Sequence, residues 1–538
     1  MIMKFKYIFH IITAHIFYLL IFVLPVNGQV KIQDKCLYHF NDLQRKQTWT
    51  ESYNAAGINF IDFKNSSYIE AYMGKNDGSF VKYYESENGI NFGLRTESYA
   101  RIRNITYYGK LDYNKFFGQN MTWSGLIYPE RYLLTVADDI PAEKVKESYL
   151  ISSGFSAPIV KNLLLGFKFN YEVANLAKRK DLRHKTDLLD IELSGGLIYK
   201  ADLVNFGVNY YYRKFHENVD FSKIAKDEIN YNGYLFKGLW FGINDTWSQD
   251  VLKLSRPFLD IQNGCSVQVE FASGNIRFFN EFTYKNQDGL TGPGADKEYT
   301  QSQAETYEYK GIVQYEKERF RHYFRLNTNY TDAANYDKIT NRENIGGIYV
   351  VQYYGLNKTF SRWNFSLNPE YELAIGKYKY NPSWNITAGY DYSIQSSVSS
   401  LIYPYYFSQT VAVNHGYIKA NKNFMWQKGM VDFSLSGSYS KGNGDKLQQY
   451  ISVSGEDQVS EDIIPYHNEN LLNREYEFLT AGKFKGEAGL RYSRFLNLPR
   501  MAGSLYIDAR YLYTTASDLL YHPGDKAGMF SLALGFSF

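Results

Sequence analysis

Hydrophobic and polar residues alternate along much of this chain, most plainly in its last stretch, Gly528 to Phe538. There Phe530, Leu532, Leu534, Phe536 and Phe538 alternate with Ser531, Ala533, Gly535 and Ser537, so one face of a strand is wholly apolar and the other small or polar. Such a strand needs an apolar medium on one side. The same two-residue period runs through Phe206, Val208, Tyr210 and Tyr212 against Gly207, Asn209, Tyr211 and Arg213. It returns in Val431, Phe433, Leu435, Gly437 and Tyr439 against Asp432, Ser434, Ser436 and Ser438. A third run sets Phe484, Gly486, Ala488, Leu490 and Tyr492 against Lys485, Glu487, Gly489 and Arg491. In all three the charges fall on one parity. A Lys or Arg turned to the bilayer midplane costs ~2–4 kcal/mol, so this segregation is what a lipid-embedded barrel requires and a soluble sandwich does not.

Alternation begins at about Ser67, with hairpin signals at Asn76-Asp77-Gly78 and Asn88-Gly89. Candidate strands follow at Asn104–Asn114, Gln119–Gly125, Tyr149–Ala157 and Asn162–Val173. Short links at Pro158–Lys161, Lys200–Asp202, Ser273 and Glu316–Glu318 alternate with long ones at Ile127–Ser148, Ala174–Asp187, Lys214–Leu259, Asn286–Gln303 and Thr331–Ile345. Counting back from Phe538 adds external loops near Thr515–Lys526 and Lys441–Phe478. Outer-membrane barrels have short periplasmic turns and long external loops, which orients these links. The forward and backward counts disagree between Gly346 and Val411 and give about 21 strands. Bacterial barrels have even strand numbers. The expected fold is therefore all-β, a transmembrane antiparallel up-and-down barrel of 18 to 22 strands over residues 67–538.

Composition fits that fold. Tyr (51) and Phe (37) are abundant and Pro (12) is sparse, yet mean hydropathy is −0.41. Helical membrane proteins are not this polar, whereas in a barrel only alternate residues face lipid. Lys4 and Lys6, an apolar run from Ile8 to Leu24, and Val26 and Gly28 before Gln29 read as an export signal over residues 1–28. Residues 29–66 lack clean periodicity and are either a periplasmic tail or a short lumen insert. Of the two cysteines, Cys265 shares parity with Val267 and Val269, an outward position that disfavours a bridge to Cys36.

No catalytic constellation stands out. None of the nine His residues has Ser two positions away, Asp138 and Asp139 read as a solvated loop pair, and the histidines lack zinc-ligand spacing. An enzyme, a metal and a cofactor are not expected. Two sets of charges remain. The predicted lumen carries Arg213, Arg277, Arg321, Arg325, Arg491 and Arg510 with Glu192, Glu270, Glu281, Glu308, Asp391, Asp432, Glu487 and Asp508, either lining a hydrated channel or closing it with ion pairs. The other is a basic surface loop of Lys178, Arg179, Lys180, Arg183 and Lys185, which either meets the phosphates of lipopolysaccharide or is merely solvated. No aromatics interleave it, so nucleic acid is not an expected partner.

The run YEVANLAKRKDLRHKTDLLDIELSGG (Tyr171–Gly196), with its Asp181-x-Arg183, together with YPERYLLTVADD (Tyr128–Asp139) and the terminal GMFSLALGFSF, resembles an uncharacterised family of Gram-negative outer-membrane barrels of unassigned function. The resemblance implies barrel fold and outer-membrane location, and brings no catalytic residue with it. The expected function is a passive channel or uptake accessory for an unidentified solute. The alternative is a non-conducting barrel that assembles a surface complex through its loops. A pre-barrel segment of residues 29–66 is too short for a TonB-dependent plug domain. Expected partners are outer-membrane lipid and lipopolysaccharide, the barrel-assembly machinery, which the apolar face of Phe530, Leu532, Leu534, Phe536 and Phe538 would address, and a surface or transport partner protein.

Overall fold

Eighteen antiparallel strands form one sheet in the computed structural model, which describes residues 40–63, 65–224, 229–246, 256–292, 300–402, 405–451, 465–498 and 501–538. The first strand, Asn65–Gly78, pairs both with the second, Asn88–Ile102, and with the last, Lys526–Ser537. The sheet is thus a closed barrel with no edge exposed to lipid. Barrel strands pair with their neighbours along the chain, an up-and-down meander at the lower end of the expected range. Phe206, Val208, Tyr210, Phe433, Leu435 and Leu490 are exposed on the outer face, whereas Asp432 and Arg491 on the opposite parity are buried. That outer face is a lipid-facing belt.

Short turns gather at one end, between Ile102 and Ile105, Val160 and Leu163, Lys200 and Val204, Ser273 and Ile276, Lys317 and Phe320, Trp426 and Gly429, and Leu498 and Met501. The barrel termini meet there too, with Ser67 and Phe538 exchanging both backbone hydrogen bonds at 2.8 Å. By the rule of short inner turns this is the periplasmic end.

The external loops are shorter than the sequence indicated, because strands run on past the bilayer. Strand 204–222 carries through the expected loop start at Lys214, and the hairpin signals at Asn76–Gly78 and Asn88–Gly89 turn out to flank a single loop, with Asn76 paired to Gly89. The expected strand Gln119–Gly125 stops at Met121. The largest departure is Thr331–Ile345, expected as a loop. It lies wholly within the strand Phe320–Ile345 (26 residues), which turns directly into Ile348–Ile375 (28 residues). Gly346 and Gly347 make that turn at φ of 63° and 88°, a conformation open to glycine and strained for most residues. Among the described residues, lateral pairing to this hairpin ends at Asp337 on one side and Phe360 on the other. Among the described residues it continues beyond those points as a two-stranded ribbon. Two strands, Ile348–Ile375 and Trp384–Ile402, lie between that turn and Tyr405, an even number of crossings where the sequence reading had an odd one.

The export segment, Cys36 and Trp247 lie outside the described residues. Cys265 is free and exposed.

Candidate functional site

Residues 40–63 cross the lumen. They form a helix, Phe40–Arg45, and two 3₁₀ turns, Thr48–Glu51 and Ala55–Phe60, the second capped by the Asn54 side chain accepting from the Ala56 N–H. Gln44 donates to Glu97 on the second strand (2.9 Å) while Arg45 pairs with Glu370 on the strand Ile348–Ile375 (2.5 Å), nearly opposite in the ring. Between these anchors, Thr48 and Trp49 both donate to Glu270 at 2.6 Å, Ser52 to Glu281 at 2.8 Å, and Asn54 to Gln268 at 2.9 Å. Arg325 holds Glu372 at 2.8 Å and donates to the Arg45 carbonyl at 2.8 Å. The Ala55-Ala56 backbone lies so close to Gly166 that a Cβ there would fall 2.1 Å from the Ala56 nitrogen, so only glycine admits the segment.

At the outer end the loops fold inward. A second sheet combines Thr135–Asp138, Asn232–Phe236, Phe241–Thr246 and Tyr466–His467 from three external loops. Its core contains Ala137, Tyr234, Phe236 and Trp240 with Leu471 and Leu472 of a helix, Glu469–Thr480. That helix ties the cap together. Glu475 accepts from Trp240 Nε1 (2.7 Å), Glu477 accepts from the N–H groups of Leu520, Tyr521 and His522 (2.7 to 2.9 Å), and Tyr476 donates to the Gly444 carbonyl (2.6 Å). Burial pushes the Glu475 carboxyl up, against the opposing pull of Trp240 and Arg362.

The loop after Met121 packs Leu126, Leu134 and Val136 against Leu176, Leu188, Val219 and Phe258 of the inner wall. Asp138 pairs with Lys178, both side chains fully enclosed. This corrects two sequence readings. Asp138 is not a solvated residue, since the loop turns inward, and Lys178 leaves the basic patch to meet it. Asp139 instead accepts from Tyr234 at 3.0 Å. In the remaining patch Arg179 and Lys180 are exposed, Arg183 pairs with Asp181 at 2.8 Å and Lys185 with Asp187 at 2.8 Å.

Beneath the cap, against the inner wall, lies a cavity of about 480 Å³. Its wall is built from one register row across six strands, Gln287, Ala304, Ala333, Arg362, Ser397 and Gln409. The two alanines open the space that larger side chains would fill. The adjacent inward row supplies Thr306, Thr331, Asn364 and Gln395. From the cap come Arg131, held to Asp260 at 3.3 Å and lying 3.9 Å over the Phe215 ring, together with Tyr132, Trp240 and Glu475.

The sequence-selected lumen charges lie elsewhere. Glu270, Glu281 and Arg325 hold the crossing segment. Glu308 pairs with Lys285 at 2.6 Å, Arg213 with Asp190 at 2.6 Å, and Glu192 accepts from Asn170 at 2.9 Å. Arg321 donates to the Gly376 and Tyr378 carbonyls of the inner loop, Asp391 meets His415 at 2.8 Å, and Arg277 is exposed beside a short turn. Arg510 holds Asp508 at 2.9 Å and Glu487 at 3.8 Å, and Arg491 lies 3.7 Å over the Tyr506 ring, with Asp432 in electrostatic reach. Arg491, Asp508 and Arg510 line a cleft of about 390 Å³ beside Phe40. The central cavity contains none of the selected residues. A search for charge passes over Ala304, Ala333 and neutral amides, and only the register places them in one row. Among the described residues no cluster of three His, Cys, Asp or Glu is placed to hold a metal.

A closed eighteen-stranded barrel with an apolar outer belt and short turns at one end is an outer-membrane β-barrel of the Gram-negative type. Within that class the chain belongs to the family described as "Family of unknown function (DUF6850)", which it matches over residues 55–538. None of the curated proteins matches it in sequence. Among solved structures it is similar to BauA, the ferric preacinetobactin receptor from Acinetobacter baumannii, at 9% identity and a TM-score of 0.36, covering 88% of this chain and 80% of that one. It is also similar to the outer membrane transporter YddB from Escherichia coli, at 9% identity and a TM-score of 0.39, covering 89% and 81%. The FrpB iron transporter from Neisseria meningitidis aligns at 9% identity and a TM-score of 0.38, covering 90% and 83%. Scores this low carry no argument about function.

Proposed function

We propose that this barrel is an uptake conduit for a small solute, held closed at rest by the segment 40–63 on the periplasmic side and by the inward-folded loops outside. The observation that carries the reading is the cavity beneath the inward-folded loops, a place where a solute can dwell before the crossing segment shifts. The segment is fixed by hydrogen bonds, ion pairs and two separate apolar clusters, one joining Phe40, Leu43, Ile58, Ile61 and Phe63 to Tyr99 and one joining Trp49 and Ala56 to Leu164, Ile198, Phe279 and Ile312; the barrel ladder is made without it. Passive conduction through an open lumen would leave these contacts without a role. On this reading the exposed Arg179 and Lys180 face lipopolysaccharide phosphates, and the terminal strand is what the assembly machinery recognises.

Purified full-length barrel in a planar bilayer tests it. Intact protein is expected to be nearly silent, and protein lacking residues 40–63 to conduct. High steady conductance of the intact barrel, or silence of a folded deletion variant, would contradict the reading.

One observation favours the alternative of a surface-assembly barrel. The ribbon beyond Asp337 exposes Ile339, Ile345, Ile348, Tyr353 and Tyr354, more apolar surface than a solvated hairpin needs. If that is its role, shortening the ribbon should release a co-purifying surface protein while conductance stays unchanged.

A further inference from the structure

The cavity beneath the cap has a chemistry narrow enough to name a ligand class. Its charges are matched within the protein, Arg131 by Asp260 at 3.3 Å, Glu130 by Lys82 at 2.5 Å, and Glu475 by Arg362 in electrostatic reach. No net charge is left over for an anionic chelate or a cation. The wall is not apolar either. Thr306, Thr331, Asn364, Gln395, Ser397 and Gln409 are hydroxyls and amides, each able to donate and accept. Arg131 Nη2 is buried without an acceptor among the described residues. Every wall strand has its backbone committed to the barrel ladder, so an extended peptide finds no edge to pair with. What remains is a ligand read by side chains alone, rich in groups that both donate and accept, uncharged, and with flat C–H faces suited to the rings of Tyr132 and Trp240. The volume, about 480 Å³, is in the range of small-ligand pockets.

We infer that this cavity binds a short neutral oligosaccharide, with Asn364 and Gln395 on the wall and Arg131 in the cap as its hydrogen-bonding contacts. The inference rests on the uptake reading for the ligand's onward path, and not for binding itself.

The test is affinity selection with mass-spectrometric readout on the purified full-length barrel. The probe is an equimolar pool of maltotriose, xylotriose, trigalacturonate and trialanine. Wild type is expected to retain a neutral trisaccharide in preference to the other two. The double substitution Asn364→Leu with Gln395→Leu, checked for folding by heat-modifiable gel mobility, should weaken retention about tenfold, as two lost hydrogen bonds predict. Preferential retention of trigalacturonate or trialanine overturns the ligand class, and so does failure of the folded wild type to retain any neutral trisaccharide. Retention by a barrel that stays silent without residues 40–63 would keep this site and remove the uptake reading. Gated conductance without retention would do the reverse.

Discussion

Lys178 and Asp138 show what a single residue can and cannot reveal from sequence. Lys178 sits in a run of basic residues and by sequence belongs with them, yet its ammonium is enclosed against a carboxylate from another loop. Removing one partner of a buried pair leaves an uncompensated charge, at ~3–5 kcal/mol, while replacing both with apolar groups is often neutral. Asp138→Asn alone is therefore expected to loosen the loop 122–141 and expose it to protease, and Asp138→Leu with Lys178→Met to restore protection. Equal protease resistance in all three proteins would show the pair to be unimportant. Face assignment was legible, because parity is local. Leu435 is 54% exposed on the lipid belt, and Ser436 faces inward opposite Glu487. Leu435→Arg should cost ~2–4 kcal/mol if it lies near the midplane and sharply lower assembled protein, whereas Ser436→Arg should assemble almost normally. Outer-membrane yields that do not differ would refute the assignment.

Strands were easier to read than their ends. Alternation persists through the bilayer and beyond it, so nothing in the pattern marks where lipid stops, and the outer part of the 26-residue strand, Thr331–Ile345, reads as a loop. The closing seam was legible from its apolar face. Phe538 gives it two backbone hydrogen bonds with Ser67, so deleting Phe538 should reduce the heat-modifiable, folded fraction. Unchanged mobility and yield would dismiss the seam's importance. The cap helix is an element whose behaviour depends on pH. Burial raises the Glu475 carboxyl above its ordinary value of 4.5, with Glu130 adding to the rise and Trp240, Arg362 and Lys82 opposing it. A raised carboxyl means the closed cap binds a proton more tightly than the open one. Closure gained from this group is complete below about pH 4.5 and is lost as pH rises through the raised value. Quenching of Trp240 by acrylamide should accordingly fall on acidification. His467 and His522, whose burial holds them low, act in the opposite sense, so the comparison with Glu475→Gln isolates the carboxyl. A pH response unchanged by that substitution would exclude Glu475 as its origin.

At the scale of the molecule, strand parity and an even count were enough to define a closed barrel, because each follows from local alternation and from the cost of an open edge in lipid. What the barrel contains was not legible. Gln44, Arg45, Trp49 and Asn54 have no periodicity, and their partners Glu97, Glu370, Glu270 and Gln268 lie from 53 to 325 residues away. The cavity wall likewise exists only once six strands are in register. The central claim is that the segment 40–63 must move for solute to pass. The direct measurement is conductance of a barrel in which Cys36 and Cys265 are replaced by Ser, and Thr48→Cys and Glu270→Cys, whose native side chains touch at 2.6 Å, are introduced, before and after bridging the pair with a short bifunctional thiol reagent. With the bridge formed, ligand-evoked or urea-evoked channel openings should disappear, and they should persist in each single-cysteine control treated with the same reagent. Openings of unchanged size and frequency in the bridged protein would contradict the account.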